Sequence, residues 1–544
     1  MRCAPITAYA LCLLLAPADI RTQTVGSDSV SSFRPSADPP DLEEILRTTE
    51  IDEPQNRLLD RLLWLQEHPY DLNTVSREEL QGLPGMSEAE ARAVVALRLR
   101  LGRFVSIEQL DSLNEGGSGV AGKLSRYVGV IPAVRGAGGA EAPAIELRSR
   151  LQKDLQPRRG FQDGSFSGSQ VKSYHRVSGS FSEDLKAGLL VEKDAGESWG
   201  NSFRSGFLDV GGLPGETRII AGDYTIGAGQ GLVIWNSASF ERGVGPSGSV
   251  RRSGQGSEPN RSTDESRYLR GAVVASTLPP GVRVLGFFSS RDRAASVDEN
   301  GNVTSFDESG LFRTTGEIGR RNAVGERTLG CRMEARVSPD WSVGATVCRT
   351  DLSREFRPDR TREFRGRIFS LAGVDGRLRT GDLVWFGEAA KTAGGGAAAV
   401  CGVVAAIGLR TEGALSYRSY DVDYATLRGA GLGHGQDTRN EQGVSLALAS
   451  QVSRLLTLNA AFDHYRHPWH TPLRPFPSSG SETYLQADLR PGPPRSEMSL
   501  RYTFRQAESA ETVGDSLSSD HRVQVTQTRQ NLRITASFEP ARRI

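Results

Sequence analysis

Met498-Ser499-Leu500-Arg501-Tyr502-Thr503-Phe504-Arg505 alternates apolar and polar residues without a break. A strand points successive side chains to opposite faces, so this stretch has one greasy face and one wet face. Leu532, Ile534, Ala536 and Phe538 interleave with Arg533, Thr535, Ser537 and Glu539 in the same way. Upstream, similar runs lie near 145–153, 170–181, 184–193, 268–276, 282–289, 327–337, 341–349, 380–389, 443–452, 455–463 and 482–490, and the last two fall at 520–528 and 530–539. Several are about 9–11 residues long, enough to cross a bilayer when tilted. Long polar inserts at 241–266, 291–326 and 420–440 contrast with tight turns such as Pro279-Pro280-Gly281. Long loops on one rim and short turns on the other are the build of a membrane barrel. The expected fold is mainly β: a large antiparallel transmembrane barrel over 145–544, of about 18–20 strands or more. Its closure is left open, and a small all-α unit precedes it. A soluble propeller would show a 40–50-residue repeat, which is absent, and a sandwich of this length without domain breaks is unusual.

The chain has 544 residues, 24% of them charged, 37% apolar, with 61 glycines. That apolar fraction is lean for a soluble globular chain, and many glycines suit many turns. The net charge of +1 hides an asymmetry: residues 1–144 carry −6 and residues 145–544 carry +7. Residues 1–18 read as an export signal: Arg2, the apolar run Ala8 to Ala16, and the small-x-small pattern Ala16-Pro17-Ala18. Cys12 follows Leu11, where a lipid-attachment site would have a small residue. Beyond the signal three cysteines remain, Cys331, Cys348 and Cys401, without CxxC spacing. An odd count argues against a disulfide framework or a zinc site, so all three are read as small apolar wall residues.

Residues 19–40 form a Ser/Pro/Asp-rich tether and 41–131 a helical region. Leu42, Ile45 and Leu46 make one stripe, Leu58 to Leu65 another, ended by His68-Pro69. Ser76 with Glu79 and Ser87 with Glu90 are capping boxes, each opening a helix. Gly82-Leu83-Pro84-Gly85 separates the two helices, and Gly102 ends the second. Ile107, Leu110 and Leu113 mark a third short helix; a fourth lies around Leu124 and Tyr127. A Gly/Ala linker at 132–144 bounds the unit.

Asp71-Leu72-Asn73-Thr74, Leu83-Pro84-Gly85-Met86-Ser87 and Phe104-Val105-Ser106-Ile107-Glu108-Gln109-Leu110 resemble the helix-hairpin-helix domain of ComEA-type competence proteins. The usual hairpin has a second glycine where this chain has Ser87, and the second hairpin near Gly116-Gly117 is degenerate. Further segments widen the resemblance: Glu192 to Glu197, Gly222-Asp223-Tyr224, Gly229 to Trp235, Tyr268 to Ala272, and Asn440 to Gly443. They are similar to a Bacteroidota-type family of helix-hairpin-helix-containing outer-membrane β-barrel proteins. The resemblance implies a location in the cell outer membrane, with the N-terminal domain in the periplasm, and no assigned activity. Such barrels commonly end on an aromatic residue, whereas this chain ends Phe538-Glu539-Pro540-Ala541-Arg542-Arg543-Ile544.

Two functions follow from these features. One is a structural, docking or transport barrel without catalysis, in contact with outer-membrane lipid and a periplasmic protein partner. The alternative is a nucleic-acid-binding envelope protein aiding DNA uptake or passage. In that case Leu83, Pro84, Gly85, Met86 and Ser87 would present backbone N–H groups to phosphate, and Arg92 would add charge. Glu88 and Glu90 in the same first turn repel phosphate, and residues 71–131 hold 8 acidic against 7 basic side chains. No cofactor or metal is expected. His464, His467 and His470 around Trp469 and Pro468 read as a rim loop, with the strand ending at Phe462. Gly227, Gly229 and Gly231 lack phosphate-loop spacing and read as close backbone approach to the wall. His175 with Ser173 has no nucleophile elbow around it, which weighs against a hydrolase. Arg251, Arg252, Arg267 and Arg270 read as solvated loop charge, with an anion-favouring rim as the sharper reading.

Overall fold

The computed structural model describes residues 65–538 apart from 67–68, 84–85, 114–119, 131–142, 237–247, 471–475, 490–495 and a few shorter gaps. The expected leader 1–18, tether 19–40, first helical stripe, most of the linker and the end of the chain lie outside the described residues.

The helical unit forms as its caps dictate. Helix α1 (Arg77–Gln81) opens where the Glu79 N–H donates to Ser76 Oγ at 3.1 Å and the Ser76 N–H donates to Glu79 Oε2 at 2.8 Å. Helix α2 (Glu88–Leu101) opens on the same reciprocal pair between Ser87 and Glu90, and ends at Gly102 with φ +75°. Ile107–Leu113 forms the expected third short helix, as a 3-10 helix. Helix α3 (Val120–Leu124) stops short of Tyr127, which is buried in the turn beyond it. Tyr70–Asp71 pairs in parallel with Val128–Gly129 and ties the ends of the unit together. Leu72, Leu80, Val94, Phe104, Leu110 and Leu124 are fully buried within it. Each such side chain contributes roughly 1.5–3 kcal/mol.

The rest is one antiparallel meander. Its wall strands are β1 (Ala144–Lys153), β2 (Val171–Ser182), β3 (Leu185–Lys193), β4 (Phe203–Leu213), β5 (Thr217–Gly227), β6 (Leu269–Leu278), β7 (Val282–Arg293), β8 (Val324–Ser338) and β9 (Trp341–Phe356). They continue through β10 (Gly366–Thr380), β11 (Leu383–Thr392), β12 (Ala397–Ile407), β13 (Thr411–Tyr420), β14 (Glu441–Gln451), β15 (Leu456–His467), β16 (Ser478–Leu489), β17 (Ser496–Asp515) and β18 (Ser518–Phe538). The sheet holds three further strands, Gly256–Pro259, Ala295–Val297 and Val303–Phe306; they are short excursions, which leaves eighteen in the wall. The strand order is that of a closed barrel. Paired registers run unbroken from β1 to β18, β18 is the hydrogen-bonded neighbour of β1 in that order, and the side chains of both strands are exposed along most of their described length. The question of closure that the sequence leaves open is thus answered by a closed ring of strands.

The expected separate strands at 520–528 and 530–539 are one strand. The polar run Arg529-Gln530-Asn531 reads like a turn, yet it pairs in register with Arg505, Phe504 and Thr503. The expected strand end at Phe462 is also overturned: β15 continues to His467.

The wall has two chemistries. Leu485 and Leu489 on β16, Met498 and Leu500 on β17, and Leu532 and Ile534 on β18 are exposed on the outer face. Leu329, Met333, Val347, Val374, Leu415 and Leu446 continue this apolar belt. Trp341 and Trp385, also exposed, lie where β9 and β11 leave their short turns, the depth that amphipathic rings favour. Inward, Ser499 donates to Asp488 at 2.7 Å and Arg501 to Gln486 at 2.9 Å. No helix among the described residues is long and apolar enough to span a membrane; the crossing is made by strands. The helical unit leads into β1 at the rim of short turns.

Candidate functional site

The lumen is occupied by the chain's own loops. After β5 the backbone doubles back at Gly227, which bridges to Trp235. The Glu388 carboxylate, on the inner face of β11, accepts the N–H groups of Gln230 at 2.5 Å, Leu232 at 3.1 Å and Val233 at 3.4 Å. Gly229 makes this possible: at φ +55°, a Cβ there would sit 2.7 Å from Glu388 Oε2. Gly231, at φ +87°, lets its carbonyl take the Ala430 N–H at 2.8 Å. The loop after β13 covers the turn from the other side. Tyr424 Oη donates to the Leu232 carbonyl at 2.8 Å, and the Trp235 N–H donates to the Arg428 carbonyl at 2.7 Å. Leu232, Val233 and Ile234 are buried against Tyr224, Phe369, Leu371 and Ala390. Gly229 and Gly231 therefore serve close backbone approach, as expected, and Gly227 is where the turn bridges back to Trp235.

The same insert continues toward the short-turn rim. Val250 packs on Val384, Phe386, Val404 and Ala414, the inner residues near the lower ends of β11, β12 and β13. Gln230 clamps the backbone of Arg252, donating to its carbonyl at 3.1 Å and accepting its N–H at 3.0 Å. The Arg252 guanidinium lies 4.9 Å from the Trp235 ring. Arg251, buried, donates to Gln81 Oε1 of the helical unit at 2.7 Å. One segment thus touches the mid-lumen carboxylate and the helical unit.

The expected hairpin residues are largely consumed by folding. Leu83 and Met86 are buried, and Ser87 is the cap of α2, with its N–H given to Glu90. The Met86 N–H donates to the Leu83 carbonyl at 3.3 Å. Arg92 lies 3.5 Å from Asp382 in the β10–β11 turn. Pro84 and Gly85 lie outside the described residues.

Charged residues line the lumen in paired clusters. Arg418 meets Glu441 at 2.6 Å and Asp463 at 2.8 Å, and His434 Nε2 lies 2.7 Å from Asp463 with its ring stacked on Tyr465. Arg332 meets Asp375 at 2.5 Å. Glu326 holds Arg428 and, at 3.2 Å, Arg293. A polar, paired interior beneath an apolar exterior is what a membrane barrel requires. The sequence carries a signal for these residues: Glu388, Arg418 and Glu326 fall at inner positions of alternating strands. Which loop meets them it does not reveal.

Other candidates are not assembled. His464 points outward and His467 inward, where its Nδ1 pairs with the Asn440 carbonyl at 3.0 Å, so these two rings sit on opposite faces of β15. His175 pairs with Ser149 Oγ at 2.8 Å rather than with Ser173. Cys331, Cys348 and Cys401 are free thiols on wall strands. Arg270 is paired with Asp223 at 2.7 Å, and Arg267 lies 3.5 Å from Glu308; the expectation of solvated loop charge fails for Arg251, which is buried.

An apolar outer belt, a polar plugged lumen and an appended helical pair define a membrane β-barrel carrying a helix-hairpin-helix motif. The model of the helix-hairpin-helix motif matches residues 66–118. No curated protein sequence matches the chain. Among solved structures, the outer membrane protein OprD from Pseudomonas aeruginosa is 10% identical, with a TM-score of 0.36 over 73% of this chain and 96% of that one. OmpT, an outer membrane protein of Vibrio cholerae, is 10% identical with a TM-score of 0.27, over 73% and 95%. Wzi, described as a carbohydrate-binding β-barrel involved in group 1 capsule assembly in Escherichia coli, is 11% identical with a TM-score of 0.36, over 81% and 88%. These values are too low to carry any functional argument.

Proposed function

We propose that the chain is a non-catalytic outer-membrane barrel for gated solute passage, with its helix-hairpin-helix unit in the periplasm as a protein-docking element. The observation that carries this is the pair of described stretches 228–236 and 250–252, joined through Gln230 and Arg252 and held by Glu388 in mid-lumen and by Gln81 of the helical unit through Arg251. Short turns face the periplasm in barrels of this kind, and the helical unit joins the wall at that rim. A partner bound to the unit would then bias the plug through a direct hydrogen bond. Leu99 and Val105, 80% and 76% exposed on the unit, offer apolar surface for a protein.

The test is conductance of the full chain in planar bilayers. Wild type is expected to stay mostly closed, whereas Glu388→Ala and Arg251→Ala raise the open fraction. A wild-type channel that is constantly open, or variants that never conduct, would sink the gating role.

The motif match itself favours DNA binding as a second reading. Against it, the N–H groups of Ser87 and Glu90, at the mouth of α2, are already given to side chains. Full-length protein titrated with duplex DNA at low and physiological salt decides this. A salt-dependent complex lost in Arg92→Glu would support it.

A further inference from the structure

We propose a binding site for a small solute bearing a carboxylate or phosphate group in the cavity at the long-loop rim, between the upper ends of β4, β6 and β7. The cavity measures about 300 Å³, and Arg204, Tyr268, Arg291, Arg293 and Arg321 are among the residues that line it. This site is separate from the plug and does not depend on the gating role.

Charge accounting carries the inference. Arg291, Arg293 and Arg428 are buried together around one equally buried carboxylate, Glu326. Glu308 reaches Arg293 at 3.5 Å, but it is half exposed and shared with Arg267. Buried cations need a counter-charge or they are costly. Arg291 is only 8% exposed and has no ion-paired carboxylate among the described residues. It donates to the carbonyls of Tyr268 at 2.8 Å and Glu265 at 2.9 Å, while its Nε has no hydrogen-bond partner.

The Tyr268 ring faces the Arg291 guanidinium at 4.0 Å and eases its burial without supplying a negative charge, and the other lining arginines add to the positive count. Among the described residues the Arg204 guanidinium donates to the Trp199 carbonyl at 3.4 Å. Arg321 donates to the Gly200 carbonyl at 3.0 Å and to Asn201 Oδ1 at 3.2 Å. Asp307 is taken by Arg320 at 3.0 Å, and Asp292, exposed on β7 as Arg204 is on β4, sets one carboxylate against the five arginines of the lining. Burial pushes the Glu265 carboxyl up to about 9, with Glu197 adding to the rise, so near neutral pH it is an O–H donor. Guanidinium forks and a neutral acid group suit an oxyanion, whose oxygens accept from all of them.

The experiment is isothermal titration of the full chain in detergent micelles, with folding checked by heat-modifiable gel migration. The probes are inorganic phosphate, glucuronate and uncharged glucose. Saturable binding of phosphate, glucuronate or both, weakened by salt, is expected, and none of glucose. Phosphate alone would assign a phosphoryl group, and glucuronate alone a carboxylate. Arg321→Gln and Arg204→Gln, in rim positions that tolerate change, each weaken binding roughly tenfold, and Arg291→Gln weakens it more. Arg283→Gln, at the far end of β7, leaves it unchanged. No saturable anion binding by the folded protein, or equal affinity in Arg321→Gln and Arg291→Gln, would overturn the site.

Discussion

Leu500 is exposed on the outer face of β17, flanked across the sheet by Ala487 and Ile534, while its neighbour Ser499 hydrogen-bonds inward to Asp488. One residue of displacement therefore separates the lipid face from the lumen face. Leu500→Arg places a charge against acyl chains, at a cost of about 2–4 kcal/mol near the bilayer midplane. The expected outcome is loss of heat-modifiable protein from membrane fractions, whereas Thr503→Arg, an inward change, leaves insertion intact. At Gly229 the sign is set by space. A methyl group 2.7 Å from Glu388 Oε2, at φ +55°, forces the carboxylate away from three N–H groups, so Gly229→Ala should loosen the plug as Glu388→Ala does. Conductance of the two variants in parallel checks this. The alternation of Met498 to Arg505 makes the lipid face legible in sequence. The role of Glu388 is not legible there, because a carboxylate at an inner position looks the same whether it meets water or a turn arriving from residue 230.

Elements built on local rules can be read from sequence, and those built on distant partners cannot. Both capping boxes form as spaced, since each uses atoms three residues apart. A third box lies inside the long insert after β7, a stretch whose polarity reads only as loop: helix α4 (Thr315–Arg320) opens with Thr314 capping Glu317. Burial opposes ionisation of Glu317, but the Arg313 guanidinium and the N–H groups of Arg313 and Thr314 outweigh it, holding the carboxyl down at about 2. Because the folded value lies below the ordinary 4.5, the stabilisation is present above about pH 4.5 and is lost as pH falls toward 2. Protease cutting within 308–323 should therefore accelerate on acidification below pH 4.5. Glu317→Gln should show the fast rate already at neutral pH. A rate independent of pH, with wild type and variant alike, would refute the cap's role. The run 529–531 misleads for the opposite reason: its polar residues are held in a strand by pairing with 503–505, which no local pattern announces.

At the scale of the whole molecule the wall is continuous but not uniform. The ring of strands is closed, but the side chains of β1 and β18 are exposed on both faces along most of their described length. A strand with few buried side chains opens at lower free energy than one packed on a core. Between β8 and β15, by contrast, inner side chains are locked by the ion pairs of Arg332 and Arg418, and the plug is buried against β10 and β11. Hydrogen exchange of the full chain in micelles should therefore grade around the barrel. Amides of β10 to β14 should be the slowest, those of β5 to β7 intermediate, and those of β1 and β18 the fastest among the wall strands. Glu388→Ala should speed exchange in 228–236 without altering the seam, since the two regions share no hydrogen bond among the described residues. Uniform protection around all eighteen strands would refute this grading. The seam would then be as firm as the rest of the wall.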